Sequence, residues 1–206
     1  MPQKPLLILD LDRVLFDTDA YLTALGESLQ PFGVTKDAWN RSLRQATGPF
    51  RLREQADTVA AAIDADATEL HQALERESAD AVWFLHPDAR PFLDDIREVA
   101  ELHLLTRGDP DFQKLKLQQT GLERYFSGQT IAVEPKEEAK LPVSTVGQAV
   151  FISDDVSELL ALGGRYRWSR HVHINREGRD VPPNFPFPSF ASLGEAAPKI
   201  RELVGA

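Results

Sequence analysis

Cysteine is absent from the 206 residues, which excludes disulfides, iron–sulfur clusters, zinc-finger sites and cysteine nucleophiles. Positive charge is scarce: 23 Lys and Arg stand against 32 Asp and Glu, a formal charge of −9. A field of that sign draws the chain neither to nucleic acid nor to an anionic membrane surface. Long apolar runs are missing too. The opening segment offers only Leu6–Leu9 before Asp10, too short for a signal-peptide core and far short of the roughly 20 residues of a membrane helix. The expectation is a cytoplasmic protein, in which the Asn40-Arg41-Ser42 sequon carries no glycan meaning. No Gly-x-Gly-x-x-Gly, phosphate-loop or serine-elbow motif occurs, so a nucleotide cofactor and a serine nucleophile lack a sequence signature.

What is present is the composition of a globular protein, 42% hydrophobic and 27% charged, with a length that suits one large domain or a core with an insert. Short apolar runs alternate with segments of helical period, the pattern of a parallel sheet covered by helices. The strands are predicted at Leu6–Leu9, Leu102–Leu105, Thr130–Val133, Val150–Ile152 and Val172–Ile174, with the last expected at a sheet edge. Asp109-Pro110 reads as a helix start and Gly121 as its stop. Ser192-Leu-Gly-Glu195 reads as a capping box opening a final helix that ends near Leu203. The Pro182–Pro188 stretch reads as an ordered surface connection.

Residues 17–86 break the alternation. They hold no good strand but several helical stripes: Leu22, Leu25 and Leu29; Trp39, Leu43 and Ala46; Leu70, Ala73 and Leu74. Four helices fit. Some 70 residues of pure helix exceed what a strand-to-strand crossover needs, about 30 residues with both strands, so an all-helical cap (17–86) inserted in a core formed by 1–16 and 87–206 is predicted.

The chemistry concentrates at predicted strand ends. Asp10 and Asp12, two apart in an extended segment, share one face as the first strand ends. Two carboxylates that close repel unless a cation or a shared proton intervenes, and an oxygen-rich set suits Mg²⁺. Thr106 ends the second strand, with Arg107 beside it; Lys136 follows the third; Asp154 and Asp155 follow the fourth. In open α/β sheets these ends line one crevice. A hydroxyl, cations and an acidic cluster on one rim are the requirements of phosphoryl transfer. Asp64-Ala-Asp66 has the same spacing as the first pair but falls within the helical insert, where it reads as surface.

These motifs, in this order and covering nearly the whole chain, resemble the haloacid dehalogenase (HAD) superfamily of phosphohydrolases. The resemblance implies a Rossmann-like core and a helical cap between the first and second motifs. It implies Asp10 as the nucleophile that forms an aspartyl-phosphate, and Asp12 as the general acid and then base. Asp10, Asp154 and the carbonyl of Asp12 would hold Mg²⁺; Thr106, Lys136 and Arg107 would hold the phosphoryl oxygens. Dehalogenases of this group lack the second aspartate and need no metal, so Asp12 favours a phosphate ester over a carbon–halogen bond. The substrate class implied is a small phosphorylated metabolite, the oligomeric state a monomer or homodimer.

Three positions depart from the pattern. Arg13 occupies a place often held by glycine, Ser153 replaces a glycine before the metal aspartate, and Glu158 stands where an aspartate is common. Lys140 competes with Lys136 for the lysine role; Lys136 is preferred because it directly follows the strand and Pro135. Arg51 and Arg53, beside Gly48-Pro49, are candidates to meet a second anionic group of the substrate. His171 and His173 share a strand face but have no third ligand at helpful spacing, and they, His86 and His103 are read as structural. The alternative reading, motivated by Arg13 and the altered fourth motif, is a family member with impaired catalysis that serves as a binding or regulatory protein. Phosphotransfer to an acceptor other than water is a third.

Overall fold

The structure, a computed structural model, describes residues 4–141 and 149–205. In chain order its elements are β1 (Leu6–Leu9), α1 (Thr18–Ser28), α2 (Lys36–Gln45), α3 (Leu52–Ile63), α4 (Ala67–Ser78), α5 (Ala89–Ile96), β2 (Glu101–Arg107), α6 (Pro110–Thr120), β3 (Gly128–Ala132), β4 (Val150–Ser153), α7 (Val156–Arg165), β5 (Arg170–Ile174), β6 (Ser189–Phe190) and α8 (Leu193–Val204). They form two compact units: Met1–Phe16 with His86–Arg107 and Leu122–Ala206, and Asp17–Leu85 with Gly108–Gly121.

The first unit is an α/β Rossmann-like domain. Its sheet has the order β3-β2-β1-β4-β5-β6, every pairing parallel. All four residues of β1 are buried, as a strand covered on both faces requires. Leu6, Ile8, Leu105 and Phe151 pack with Leu159 and Leu162 of α7 in one cluster, joined by Phe185 and Phe187 of the proline-rich connection. Alternation along the strands turns Leu7 and Leu9 the other way, and both are fully buried. The predicted fifth strand is not an edge, because β6 pairs with it at His173↔Ser189 and Ile174↔Phe190. A two-residue strand behind Pro188 is too short to leave an alternation pattern, which is why the sequence shows only a connection there. β3 runs Gly128–Ala132 rather than 130–133; Val133 is exposed and outside the ladder.

The second unit is helical. Asp17, Thr35 and Asp66 cap α1, α2 and α4 with side-chain oxygens, each satisfying an N–H that the first helical turn leaves orphaned. The Asp64/Asp66 pair is thereby explained as punctuation: Asp64 ends α3 in the left-handed conformation and Asp66 starts α4. The Trp39 indole N–H donates to the Leu22 carbonyl at 2.9 Å. α6 belongs to this unit and not to the sheet unit, a difference from the predicted 17–86 boundary. The reason is aromatic packing: Phe112 of α6 stacks on Tyr21 at 6.0 Å between ring centroids and meets Phe50 at 4.8 Å. Its ends are as read from sequence, Asp109 capping Asp111 and Phe112 and Gly121 closing it at φ 64°.

Candidate active site

The strand order reverses direction at β1, with β2 and β3 to one side and β4, β5 and β6 to the other. The crevice outside the carboxyl ends of strands at such a switch point is where open α/β sheets bind ligands. Asp10 is the first residue past β1, and its N–H still pairs with the Ile152 carbonyl at 3.0 Å, so the ladder with β4 holds its backbone. Arg13 N–H to Phe16 carbonyl (2.7 Å) and Leu15 and Phe16 N–H to Leu11 carbonyl (both 3.0 Å) then fold Leu11–Phe16 into a tight turn. Closing that turn puts Arg13 at φ 58°, the left-handed region in which a glycine would sit without strain.

A strut absent from the sequence reading fixes this turn from behind. Arg176 donates twice to the Val14 carbonyl, at 2.7 and 3.2 Å, and pairs with Asp88. Asp88 in turn accepts from the Leu193 and Gly194 N–H groups that open α8. Arg176 and the α8 amides hold the Asp88 carboxyl below the usual range in spite of its partial burial. Nothing in the local sequence marks Arg176, 162 residues from its carbonyl partner.

Asp10 is buried, one carboxylate oxygen accepting from the Leu11 N–H at 2.7 Å and the other 2.6 Å from the Lys136 ammonium. Lys136, only 3% exposed, also meets Glu158 at 3.0 Å. Burial and the Asp12 charge push the Asp10 carboxyl up, while Lys136 opposes them. Burial works against the Lys136 ammonium, but Asp10 and Glu158 outweigh it and hold it above the ordinary lysine value. Burial and Asp10 raise Glu158 and Asp154 each to about 7. Lys140 is exposed, so the geometry selects Lys136 as the lysine beside Asp10.

A cavity of about 320 Å³ opens at these strand ends, at the lower end of the range for small-molecule sites. Asp10, Asp12, Asp154 and Glu158 line it from one side of the charge balance; Arg13, Arg107, Lys136 and Arg179 line it from the other. Thr106 is fully buried on β2 and its hydroxyl has no hydrogen-bond partner among the described residues. Asp155, placed with the site residues on sequence, serves α7 as its N-cap, accepting from Ser157 and Glu158 N–H groups at 2.8 and 3.0 Å. Glu158 faces Lys136 rather than standing alone as a cation ligand. Arg51 is engaged by Asp109 and Glu54, both at 2.6 Å, and Arg53 by Asp57 at 3.2 Å, all within the helical unit.

Four residues of the cavity were not singled out for it on sequence: Val156, His173, Arg179 and Asp180. His173 was noted for its alternation with His171, and its Nε2 lies 3.0 Å from the Asp154 carbonyl while Nδ1 meets the Ser189 hydroxyl at 2.8 Å. A carbonyl only accepts, so Nε2 carries the proton and Nδ1 accepts from Ser189. No three His, Asp or Glu side chains among the described residues converge as a closed metal cage would. Mg²⁺ does not need one, since it is commonly held by one or two carboxylates with water and substrate phosphate completing the shell. Asp10 and Asp154, oxygen donors of which the Asp10 charge helps burial to raise Asp154, fit that demand.

No protein-family model matches the sequence, and a search of curated proteins returned no significant match. Solved structures do match. YfnB of Bacillus subtilis, whose structure is described as that of a HAD-hydrolase bound to magnesium, superposes with a TM-score of 0.70 at 15% identity, covering 99% of this chain and all of that one. A HAD phosphatase from Thermococcus onnurineus gives 0.61 at 22% identity over 98% of each chain. L-2-haloacid dehalogenase from Xanthobacter autotrophicus gives 0.62 at 14% identity over 97% of this chain and 99% of that one. The chain therefore has the fold of the HAD-like hydrolases, as its motifs led one to expect, on a scaffold that carries both phosphatases and dehalogenases. Among the described residues no helix is long and apolar enough to cross a membrane.

Proposed function

We propose that this chain, folded as a HAD-like hydrolase, is a member of that superfamily and a Mg²⁺-dependent phosphohydrolase that cleaves a small phosphorylated metabolite. The observation carrying the reading is the buried Asp10 carboxylate, held by the Leu11 N–H and by Lys136 in a cavity that Asp12 also lines. A carboxylate so oriented is a nucleophile with a fixed direction of attack. One Asp10 oxygen forms a bond to phosphorus as the bond to the leaving oxygen breaks, and protonated Asp12 gives that oxygen its proton. Asp12, now ionised, takes a proton from water; the water oxygen attacks phosphorus and Asp10 is released as carboxylate.

Lys136 and Arg107 meet the charge of the phosphoryl oxygens, and Thr106 supplies its unpartnered hydroxyl. Asp10, Asp154 and the Asp12 carbonyl would hold Mg²⁺, which supplies neutralisation of the phosphoryl charge. The Leu11–Phe16 turn, braced by Arg176, keeps Asp12 from drifting. The presence of Asp12 supports ester hydrolysis over dehalogenation, since halide needs no proton to leave.

One observation favours the second reading, a HAD-like binding or regulatory protein with impaired catalysis: the Arg13 charge acts on Asp154, one of the carboxylates assigned to the cation. Hydrolysis of an aryl phosphate by the purified protein, with Mg²⁺ and with excess chelator, separates the two. The proposal expects turnover that the chelator removes and that Asp10→Asn reduces at least a thousandfold; a folded protein with no turnover on any phosphate ester refutes it.

A further inference from the structure

β4 ends at Ser153, which pairs with His173 of β5 in the sheet register. Asp154 therefore lies one residue past the ladder, where strand pairing no longer fixes the backbone, yet it is a carboxylate assigned to the cation. Two side chains take over from the ladder. The peptide unit joining Asp154 to Asp155 has one acceptor and one donor. Its carbonyl lies 3.0 Å from His173 Nε2, and its N–H donates to the Ser153 hydroxyl at 3.2 Å. A peptide unit is planar, so holding both of its polar ends fixes how the plane is turned about the Asp154 Cα, and with it the direction in which the carboxylate leaves the chain.

His173 can hold that plane because it is itself held. It is buried, and its backbone N–H donates to the Pro188 carbonyl at 2.9 Å. The Ser189 hydroxyl meets Nδ1 at 2.8 Å, and the Phe185 ring packs edge-on to the imidazole at 5.4 Å between centroids. An Nδ1 that accepts from Ser189 leaves the proton on Nε2, the tautomer that a carbonyl partner requires. The proline-rich connection and β6 thus form the socket of this ring. His171, on the same strand face, is different: it packs between Phe151 and Phe187 and bonds to Ser169, while His173 alone of the two lines the cavity. We infer that His173 is a positioning residue, which through the Asp154 carbonyl sets the Asp154 carboxylate for the divalent cation, and that Ser189 sets His173 in turn. Partners that orient a metal ligand without touching the metal act in this way. The inference rests on the phosphohydrolase reading for Asp154 as a cation ligand, and it adds the residues that aim it.

Its test titrates Mg²⁺ into protein stripped of metal and reads Kd by calorimetry, beside Tm measured in chelator and in Mg²⁺. His173→Leu is expected to weaken Mg²⁺ roughly 10–100-fold, the scale for losing a partner that orients a metal ligand. His173→Gln, whose side-chain N–H can reach the same carbonyl, should recover most of that loss, and Ser189→Ala, which releases the tautomer, should show a smaller one. Tm in chelator reads the fold, whereas the gain in Tm on adding Mg²⁺ reads the site, so a merely structural cost moves the first and leaves the second. His173→Leu binding Mg²⁺ as tightly as the wild type, His173→Gln binding as weakly as the leucine variant, or Ser189→Ala unchanged would each overturn the inference. If His173→Leu does not fold, the Ser189→Ala result decides alone. A wild type that binds no Mg²⁺ overturns the inference and the cation assignment together. A wild type that binds Mg²⁺, with the expected losses in the variants but no hydrolysis of any phosphate ester, leaves the inference standing and removes the phosphohydrolase reading instead.

Discussion

Lys136→Met is the substitution whose outcome the structure constrains most. The ammonium lies 2.6 Å from Asp10 and 3.0 Å from Glu158 and is 3% exposed. Methionine keeps most of the stem's volume, so the cavity contribution is small and the loss is electrostatic. Removing one partner of a buried pair costs about 3–5 kcal/mol, because the other charge stays behind without compensation. For a chain of this size that corresponds to a fall in Tm of roughly 6–20 °C. The deficit depends on pH in a definite direction. Without Lys136 the folded-state pKa values of Asp10 and Glu158 rise further above their unfolded values. A carboxyl raised by folding contributes stability below its unfolded pKa and loses it as pH climbs through the folded one. The gap between wild type and variant should therefore be small at pH 5 and widen as pH climbs through 7 to 8 and beyond. Urea denaturation in chelator at both pH values measures it, with Lys199→Met, which breaks an exposed Lys199–Glu202 pair, as the control expected to change little. A deficit under about 1 kcal/mol at pH 8, or one independent of pH, would refute the claim that Lys136 is what makes the buried carboxylates tolerable.

Two further predictions concern the fold. Gly26→Ala in α1 would ordinarily gain up to about 1 kcal/mol, but a Cβ at Gly26 would overlap the Trp39 ring, which is tied to the Leu22 carbonyl; the expected result is a loss of about 1–3 kcal/mol, and a raised Tm would show the packing to be otherwise. His171 lies between Phe151 and Phe187, at 5.3 and 4.6 Å between centroids, with Nδ1 buried and unpartnered among the described residues, and burial pushes its pKa down to about 4. Its folded value is below the unfolded one, so its contribution is complete above about pH 6.5 and falls away toward pH 4, by up to about 3 kcal/mol; the difference in unfolding free energy between wild type and His171→Leu should carry that slope, and parallel curves would exclude it.

Much of the core was legible in the sequence because its signals are local. Period-two and unbroken apolar runs mark β1, β2, β4 and β5; Asp109, Gly121 and Ser192 punctuate helices through bonds to residues two or three positions away. The order of Asp10/Asp12, Thr106, Lys136 and Asp154 along the chain carries the HAD-like fold because a parallel sheet brings successive strand ends to one edge. The sequence even marked Arg13 as standing where glycine is usual, and the turn does take the left-handed conformation there.

What the chain order could not contain is which charge meets which. Lys136 and Lys140 differ by one helical turn in sequence; only the fold buries one of them against Asp10 and leaves the other in water. Asp155 and Glu158, alike on paper as acids past β4, diverge into a helix cap and the second partner of Lys136, because α7 starts at Val156 and turns its first carboxylate back on its own amides. The Arg176–Asp88 brace and the transfer of α6 to the helical unit join segments far apart along the chain, and no local pattern encodes a partner that only tertiary packing brings within reach.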